Sequence, residues 1–254
     1  MKIVYTLLLA GLLVPTAGLA QRSLSRWSNY DAVTTYRIGT QGINLGGLNQ
    51  ALQQAGYGAL PAQFTMLSIA SQFSRPNRAL AFTSELGISL NSHTTVTNGT
   101  NNARAGFYYF KFGASYRIIR TDKFQLAPQV GITSLPFHLQ VDQISSTTPS
   151  VNSILTNPGS AQTATLRSVS VGADVGLAAS LRIPFSQRQM DCSTIERSVV
   201  IGLDAGYRFA TKGPLNTVYE TYSSNLAVQL SGWYAGIHVG FGSRVRSTIA
   251  PASN

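Results

Sequence analysis

The sequence predicts an all-β protein, a transmembrane antiparallel up-and-down β-barrel of eight strands with a short helix in the 43–58 segment. Three observations indicate this fold class. Long segments alternate strictly between apolar and polar residues, no segment after the N-terminus is apolar for long enough to form a membrane-crossing helix, and short and long connections alternate. Such an alternation of connections between long antiparallel strands is typical of membrane barrels.

Residues 1–20 have the features of a removable export signal. Lys2 precedes the apolar run 3–14, and the small-residue stretch "TAGLA" ends at Ala20, which is the order found in secretory signal peptides. The apolar run is only about half as long as a membrane-spanning helix. We therefore expect a mature chain from Gln21, with residues 21–254 forming a single barrel domain. That domain has no internal disulfide, because Cys192 is the one cysteine in the sequence.

The composition is poor in charge and basic overall. Charged residues make up 11% of the chain, and the formal net charge is +10. The low charge argues against a charge-driven disordered chain. The basic residues are neither clustered nor interleaved with aromatic residues, as nucleic-acid sites require. We therefore expect no nucleic-acid partner, and we take anionic lipid head groups as the counter-charge.

Residues 168–185, "SVSVGADVGLAASLRIPF", show the alternation most clearly, with apolar side chains at odd positions and Ser, Gly, Asp or Arg at most even positions. The same two-faced pattern recurs at 63–74, 79–91, 105–120, 124–141, 198–212 and 225–245. Bacterial barrels have an even number of strands, so residues 32–40 are assigned the eighth. Within 124–141 the apolar phase changes at "SLPF", and its proline predicts a β-bulge there.

The polar faces of these strands predict the interior of a narrow barrel. The predicted strands are longer than the roughly 9–11 residues that a strand needs to cross a bilayer. Strands of soluble proteins average only about five or six residues. Small residues leave room for opposed long side chains, and charges of both signs can pair. Taken singly, each charge could instead lie on the water face of a sheet. The predicted lumen charge network is Glu85, Lys111, Arg117, Asp174, Arg182, Asp204 and Arg208.

The first long connection contains the predicted helix. Leu45, Leu48, Leu52 and Ala55 stand at helical spacing. The helix would lie in the loop or fold towards the lumen as a partial plug; the alternative is a loop that packs its leucines locally. The short connections are predicted at 74–78, 120–123 and 186–197, and the long ones at 43–62, 92–104, 142–164 and 213–224.

With these strands the chain resembles the small outer-membrane β-barrel proteins of Gram-negative bacteria, the outer membrane protein β-barrel domain group. The stretches that carry the resemblance are "GFYYFKFGASYRI", "VGADVGLAASLRIPF", "VVIGLDAGYRF" and "SGWYAGIHVGFG". The resemblance implies an outer-membrane location, outer-membrane lipids as partners, insertion by the barrel assembly machinery and a monomer. One departure is the C-terminus. Many such barrels end on an aromatic residue, whereas here Phe241 is followed by "GSRVRSTIAPASN".

No motif in the sequence predicts catalysis or metal binding. A hydrolase needs a nucleophile, a base and an orienting partner. The nearest combinations, Ser134 with His138 and Tyr234 with His238, match no motif, and both histidines are predicted to point inward. His93 and the other two histidines lack metal-ligand spacing. We expect no catalytic residue, no metal and no cofactor, and a lipid-modifying barrel enzyme is the remote alternative.

The function expected from the sequence is that of a structural or interaction barrel. An eight-stranded interior is only wide enough for side chains, which disfavours transport. Ser, Thr and Asn fill the long connections, which are expected to be extracellular and to face a protein partner that the sequence does not identify. The alternatives are a narrow passive pore and an accessory factor in secretion or outer-membrane assembly.

Overall fold

The computed structural model describes residues 29–75, 78–90, 92–95, 101–143, 162–190, 193–217 and 223–247. The predicted export signal and Cys192 lie outside these residues. The elements in chain order are β1 (Tyr30–Gly42), α1 (Gly46–Gln54), β2 (Gln63–Ser74), β3 (Leu80–Ser89), β4 (Ser92–Thr95), β5 (Asn101–Tyr116), β6 (Ile119–Arg120), β7 (Phe124–Gln143), β8 (Gln162–Met190), β9 (Ser193–Ala210), β10 (Lys212–Thr217), β11 (Ser223–Gln229) and β12 (Gly232–Ser247).

Eight long strands close into a ring in the order β1, β2, β3, β5, β7, β8, β9 and β12, with each strand antiparallel to its neighbours. The ring is closed by β1 and β12, which pair from Tyr30↔Val245 to Gln41↔Tyr234. The predicted all-β, up-and-down barrel fold is therefore confirmed, and the 32–40 segment supplies the eighth strand. Closure pairs the ring strands on both sides, so that the ring has no open edge.

The two faces of the strands differ as the alternation predicts. Large apolar side chains on the outside are half exposed, among them Phe112 on β5, Val171 on β8 and Leu203 on β9. The intervening side chains point inward and are buried, among them Lys111 and Asp204. An apolar exterior around a polar interior is the arrangement of transmembrane barrels. In the part of the chain that the structure describes, no helix is long and apolar enough to cross a membrane.

Four predicted connections, including 142–164, are shorter than expected, because strand pairing continues into them. The predicted turn at 186–197 is strand up to Met190 and again from Ser193. The predicted 213–224 loop contains the end of β10 and the start of β11, and the 92–104 loop contains β4 and the start of β5. These extensions are rich in polar residues and therefore show no apolar–polar alternation in the sequence. Their backbone groups nevertheless form strand hydrogen bonds, because a partner strand lies beside them. Of the 142–164 loop, residues 144–161 lie outside the described residues.

The prediction of a β-bulge at "SLPF" is wrong. β7 pairs with β8 without interruption, with Leu135↔Ser170 and Pro136↔Val169, and its ladder with β5 keeps one register on both sides of Pro136. The apolar phase changes because the lumen itself becomes apolar at this level, so that Leu135 and Phe137 point inward. The structure places a register shift elsewhere, between Pro184 and Ser186.

The predicted helix is confirmed, and it closes the long-connection end of the lumen. Leu48 and Leu52 on α1 are buried in a cluster with inward side chains of the barrel. The chain is held there by Asn49, whose side chain exchanges two hydrogen bonds with the backbone of Leu60, at 2.8 and 3.0 Å. Gly56, with φ of 82°, follows the helix in the left-handed conformation that glycine adopts readily. The sequence left open whether the helix lies in the loop or folds towards the lumen as a partial plug, and the structure shows the second placement. The cluster is Ile43, Leu45, Leu48, Leu52, Leu60, Phe64, Met66, Ala103, Ala105, Phe107, Tyr109, Leu135, Phe137, Leu139, Ala210, Leu215, Val228 and Leu230.

Candidate functional site

The lumen below the helix is lined by charged side chains, and the structure places all seven predicted residues there. Each of them is buried. They separate into two groups. The central cluster consists of Arg37, Glu85, Lys111, Asp174, Asp204 and Arg208. The Asp31 cluster, nearer the short turns, consists of Asp31, Arg117, Arg182 and Arg244.

Arg37 is the hub of one half of the central cluster. Its guanidinium contacts Glu85 at 2.6 Å through Nη1 and Asp204 at 2.8 Å through Nε. The same Glu85 oxygen, Oε1, also accepts hydrogen bonds from the hydroxyls of Ser68, at 2.8 Å, and Tyr109. These residues lie on β1, β2, β3, β5 and β9, so that five strands contribute to one polar network across the lumen.

Arg208 is the hub of the other half. Its Nε lies 3.1 Å from Asp174 Oδ1, and its Nη1 donates to Gln41 Oε1 at 2.7 Å. The guanidinium carbon lies 4.2 Å from the centre of the Tyr109 ring, a cation–π distance. Arg208 is thus held by a carboxylate, an amide oxygen and an aromatic face, which together satisfy a buried cation better than any one of them.

Lys111 differs from the two arginines. Within the described residues it has no ion pair, although Glu85 is its cross-strand partner in the ladder. Its Nζ lies 5.6 Å from the centre of the Tyr234 ring. The six charges of the central cluster nevertheless balance, with three basic and three acidic side chains in one narrow space.

The Asp31 cluster is not balanced in the same way. The carboxylate of Asp31 is 3.3 Å from Arg117 Nη1, 2.7 Å from Arg182 Nη2 and 3.8 Å from Arg244 Nη2. Three arginines therefore share one fully buried carboxylate. Arg244 also lies 3.7 Å from Asp122, which is exposed at the rim, and 4.0 Å from Glu196, which is partly exposed.

Glycines on the inner face make room for these long side chains. A Cβ at Gly131 would stand 3.3 Å from two carbons of Lys111, and one at Gly236 would stand 3.1 Å from two carbons of Arg37. Gly206 lies beneath the Tyr234 hydroxyl in the same way, with 2.6 Å between that oxygen and a Cβ. A side chain at any of these positions would crowd the charged or aromatic side chain beside it and a backbone oxygen of a neighbouring strand.

Three members of the two clusters are absent from the predicted set: Asp31, Arg37 and Arg244. Alternation along β1 indicates that Arg37 points inward. Its neighbours Tyr36 and Ile38 are exposed on the outer face, whereas Val33, at the same parity as Arg37, is buried. Asp31 and Arg244 lie opposite each other in the β1–β12 ladder near the strand ends, where a charged residue is equally compatible with a turn.

The histidines do not form a catalytic or metal site within the described residues. His238 points inward as predicted, and its Nδ1 lies 3.4 Å from Asp204 Oδ1. His138 does not point inward, because Phe137 and Leu139 on either side of it do. The side chain of His93 lies outside the described residues. Among the residues that the structure describes, no three His, Cys, Asp or Glu side chains are grouped as a metal site would need.

A cavity of about 60 Å³ touches both charged clusters. Its walls include Arg37, Glu85, Lys111 and His238 on one side and Arg182 on the other. A buried water needs at least about 10–15 Å³ of such space, so the cavity has room for water or for a small ion. The cavity therefore lies among the charged side chains of the lumen, between the central cluster and Arg182 of the Asp31 cluster.

No family model and no curated protein matches the chain. Solved structures of bacterial outer-membrane β-barrel proteins do. A major outer membrane protein from Thermus thermophilus matches at 10% identity and a TM-score of 0.40, over 84% of this chain and 98% of its own. Ail, the attachment invasion locus protein of Yersinia pestis, matches at 9% and 0.38, over 86% and 99%. OprG of Pseudomonas aeruginosa matches at 14% and 0.37, over 85% and 95%.

Proposed function

We propose that this chain is a non-enzymatic integral outer-membrane barrel that seals its own lumen and acts as a structural or interaction protein. The observation that carries the proposal is the filling of the interior at three successive levels. The helix-capped apolar cluster lies at the long-connection end, the balanced central cluster follows, and the Asp31 cluster lies towards the short turns. An aqueous channel would require an opening at all three levels.

The exterior supports the membrane location. A lipid-facing surface needs apolar side chains around the whole ring, and half-exposed large apolar residues occur on every ring strand. Polar and basic side chains begin just beyond this belt. Arg104 and Arg167 are exposed at the long-connection end, and Lys123 and Arg188 are exposed at the short-turn end. Near an anionic lipid surface each such charge contributes about 1 kcal/mol.

The proposed orientation follows the general rule for these barrels, in which the short turns face the periplasm and the long connections face outside. The connection at 142–164 is rich in Ser, Thr and Asn, which suits an exposed surface. The barrel would be a monomer in outer-membrane lipid, inserted by the assembly machinery. A protein partner would meet the long connections.

The geometry disfavours the enzyme alternative. His238 contacts Asp204 within the lumen, so its ring faces away from a lipid substrate. His138 lies on the outer face but, within the described residues, has no hydrogen-bonded nucleophile. A base needs a nucleophile within hydrogen-bond reach.

Planar-bilayer recordings test the sealed lumen. Residues 21–254, refolded and added to a lipid bilayer, are expected to give no stable conductance steps, because buried side chains occupy the lumen at the three levels described above. An open porin added afterwards to the same membrane checks that the bilayer reports insertion. Reproducible steps from this protein before that addition would favour the narrow passive pore instead.

A further inference from the structure

We propose that the lumen cavity between the two charged clusters is a binding site for a small inorganic anion, from chloride to phosphate in size. The cavity of about 60 Å³ lies inside the ring and is lined by inward side chains of β1, β2, β3, β5, β7, β8, β9 and β12. This is several times the minimum of about 10–15 Å³ that one buried water needs, which leaves room for a halide ion or one tetrahedral oxyanion.

The walls carry an excess of positive charge. Arg37, Lys111 and Arg182 line the cavity, whereas Glu85 is the one carboxylate among its lining residues. Glu85 is already engaged, since Arg37, Ser68 and Tyr109 all donate to the same oxygen. Its negative charge is therefore engaged mainly with Arg37, and no carboxylate oxygen of the described residues lies within ion-pair distance of Lys111.

Two of the wall cations lack a carboxylate of their own. Lys111 has no ion pair within the described residues, and Arg182 shares Asp31 with two further arginines. A buried charge without a partner is strongly destabilising, more than water in a small cavity can offset. An anion placed between Lys111 and Arg182 removes that cost.

The polar atoms left without a partner at this cavity are mainly donors. Nη1 of Arg182 and the side-chain Nε2 of Gln125 are buried and have no hydrogen-bond partner among the described residues, and both residues line the cavity. The hydroxyl of Thr83, also on the wall, is likewise without a partner there. A guanidinium N–H, an amide N–H and an ammonium group can all donate but not accept. This set fits an anion and does not fit a metal cation, which needs oxygen ligands.

Bromide provides a direct test, because it has the charge of chloride and can be located by anomalous diffraction. Crystals of refolded residues 21–254 grown in sodium bromide are expected to show an anomalous peak in the cavity, within hydrogen-bond distance of Lys111 and Arg182. The Lys111→Met variant keeps most of the length of the side chain and removes its charge, and it is expected to lose the peak. The Lys212→Met variant, altered at an exposed position on β10, is the matched control and should keep it.

A stability measurement gives a second readout in solution. At constant ionic strength, replacing sodium gluconate by sodium bromide should raise the urea midpoint of the wild-type barrel, because a ligand that binds only the folded state stabilises it. The bromide concentration needed for that rise should be about tenfold higher in Lys111→Met, since one charged donor is lost. Gln125→Leu should weaken bromide binding in the same direction. Waters alone in the cavity, with equal midpoints in bromide and gluconate, would overturn the proposal.

Discussion

Replacing Asp31 with asparagine is expected to lower the free energy of unfolding by about 3–5 kcal/mol, the loss seen when one partner of a buried ion pair is removed. Asp31 is 0% exposed and is the carboxylate shared by Arg117, Arg182 and Arg244. Asparagine has the same shape but no charge, so that the three arginines would lose the one buried carboxylate that they share. Urea titration of the refolded barrel, followed by tryptophan fluorescence, measures the effect.

Asp122→Asn is the matched control for this change. Asp122 also contacts Arg244, at 3.7 Å, but its side chain is 89% exposed. Solvent screening makes such a pair weak, so the urea midpoint should hardly move. Similar losses in the two variants would show that Asp31 is not the buried centre of the cluster and would contradict the position of β1 in the ring.

Leu135→Ala is expected to lower the free energy of unfolding by about 2–5 kcal/mol, because it removes buried methyl groups and leaves a cavity. Leu135 is 0% exposed and packs in the apolar cluster beneath α1. The same urea titration applies, and the expected loss reflects both the transfer of the side chain and the space that it leaves inside a barrel with little room to collapse.

Ile132→Ala is the control on the same strand. Ile132 is 67% exposed on the outer face. Detergent or lipid chains fill the space that its side chain leaves, so this variant loses the transfer contribution alone and should be less destabilised than Leu135→Ala. The opposite order would mean that the side chains of β7 change faces at "SLPF", as a bulge there would require.

The outer face of the barrel was predictable because lipid contact imposes a simple period on the sequence. Every second residue from Val169 to Phe185 must suit apolar surroundings, and the even positions between them then identify the inward charges. The same rule located Glu85, Lys111 and Asp204 on the inner face without any knowledge of the fold.

The partners of those charges were not predictable in the same way. Arg37 on β1 meets Asp204 on β9, and these strands are not neighbours in the ring, because β12 lies between them. Pairing across a lumen depends on the stagger and tilt of all the strands, which periodicity does not encode. Asp31 was missed as an inward charge for a second reason. It lies one residue from the start of β1, where too few residues precede it to show an alternation.

In the apolar part of the lumen, beside α1, sequence periodicity assigns side chains to the wrong face of the strand. Alternation alone does not say which face of a strand points inward. Where the interior is polar, apolar residues mark the outside. At the level of α1 the interior is apolar as well, and Phe137 and Leu139 point into it. The helical spacing of Leu48 and Leu52 is the signal that resolves this, because a helix with an apolar face needs an apolar surface to cover.

The electrophoretic mobility of the refolded protein before and after boiling tests most directly whether the chain is a closed barrel. In such a ring all backbone groups of the spanning strands are paired internally, so the fold resists SDS until it is heated. Residues 21–254 in SDS should run at two different positions, one for the unheated and one for the boiled sample. Identical mobility of the two samples, together with a helix-rich circular dichroism spectrum, would contradict the closed barrel.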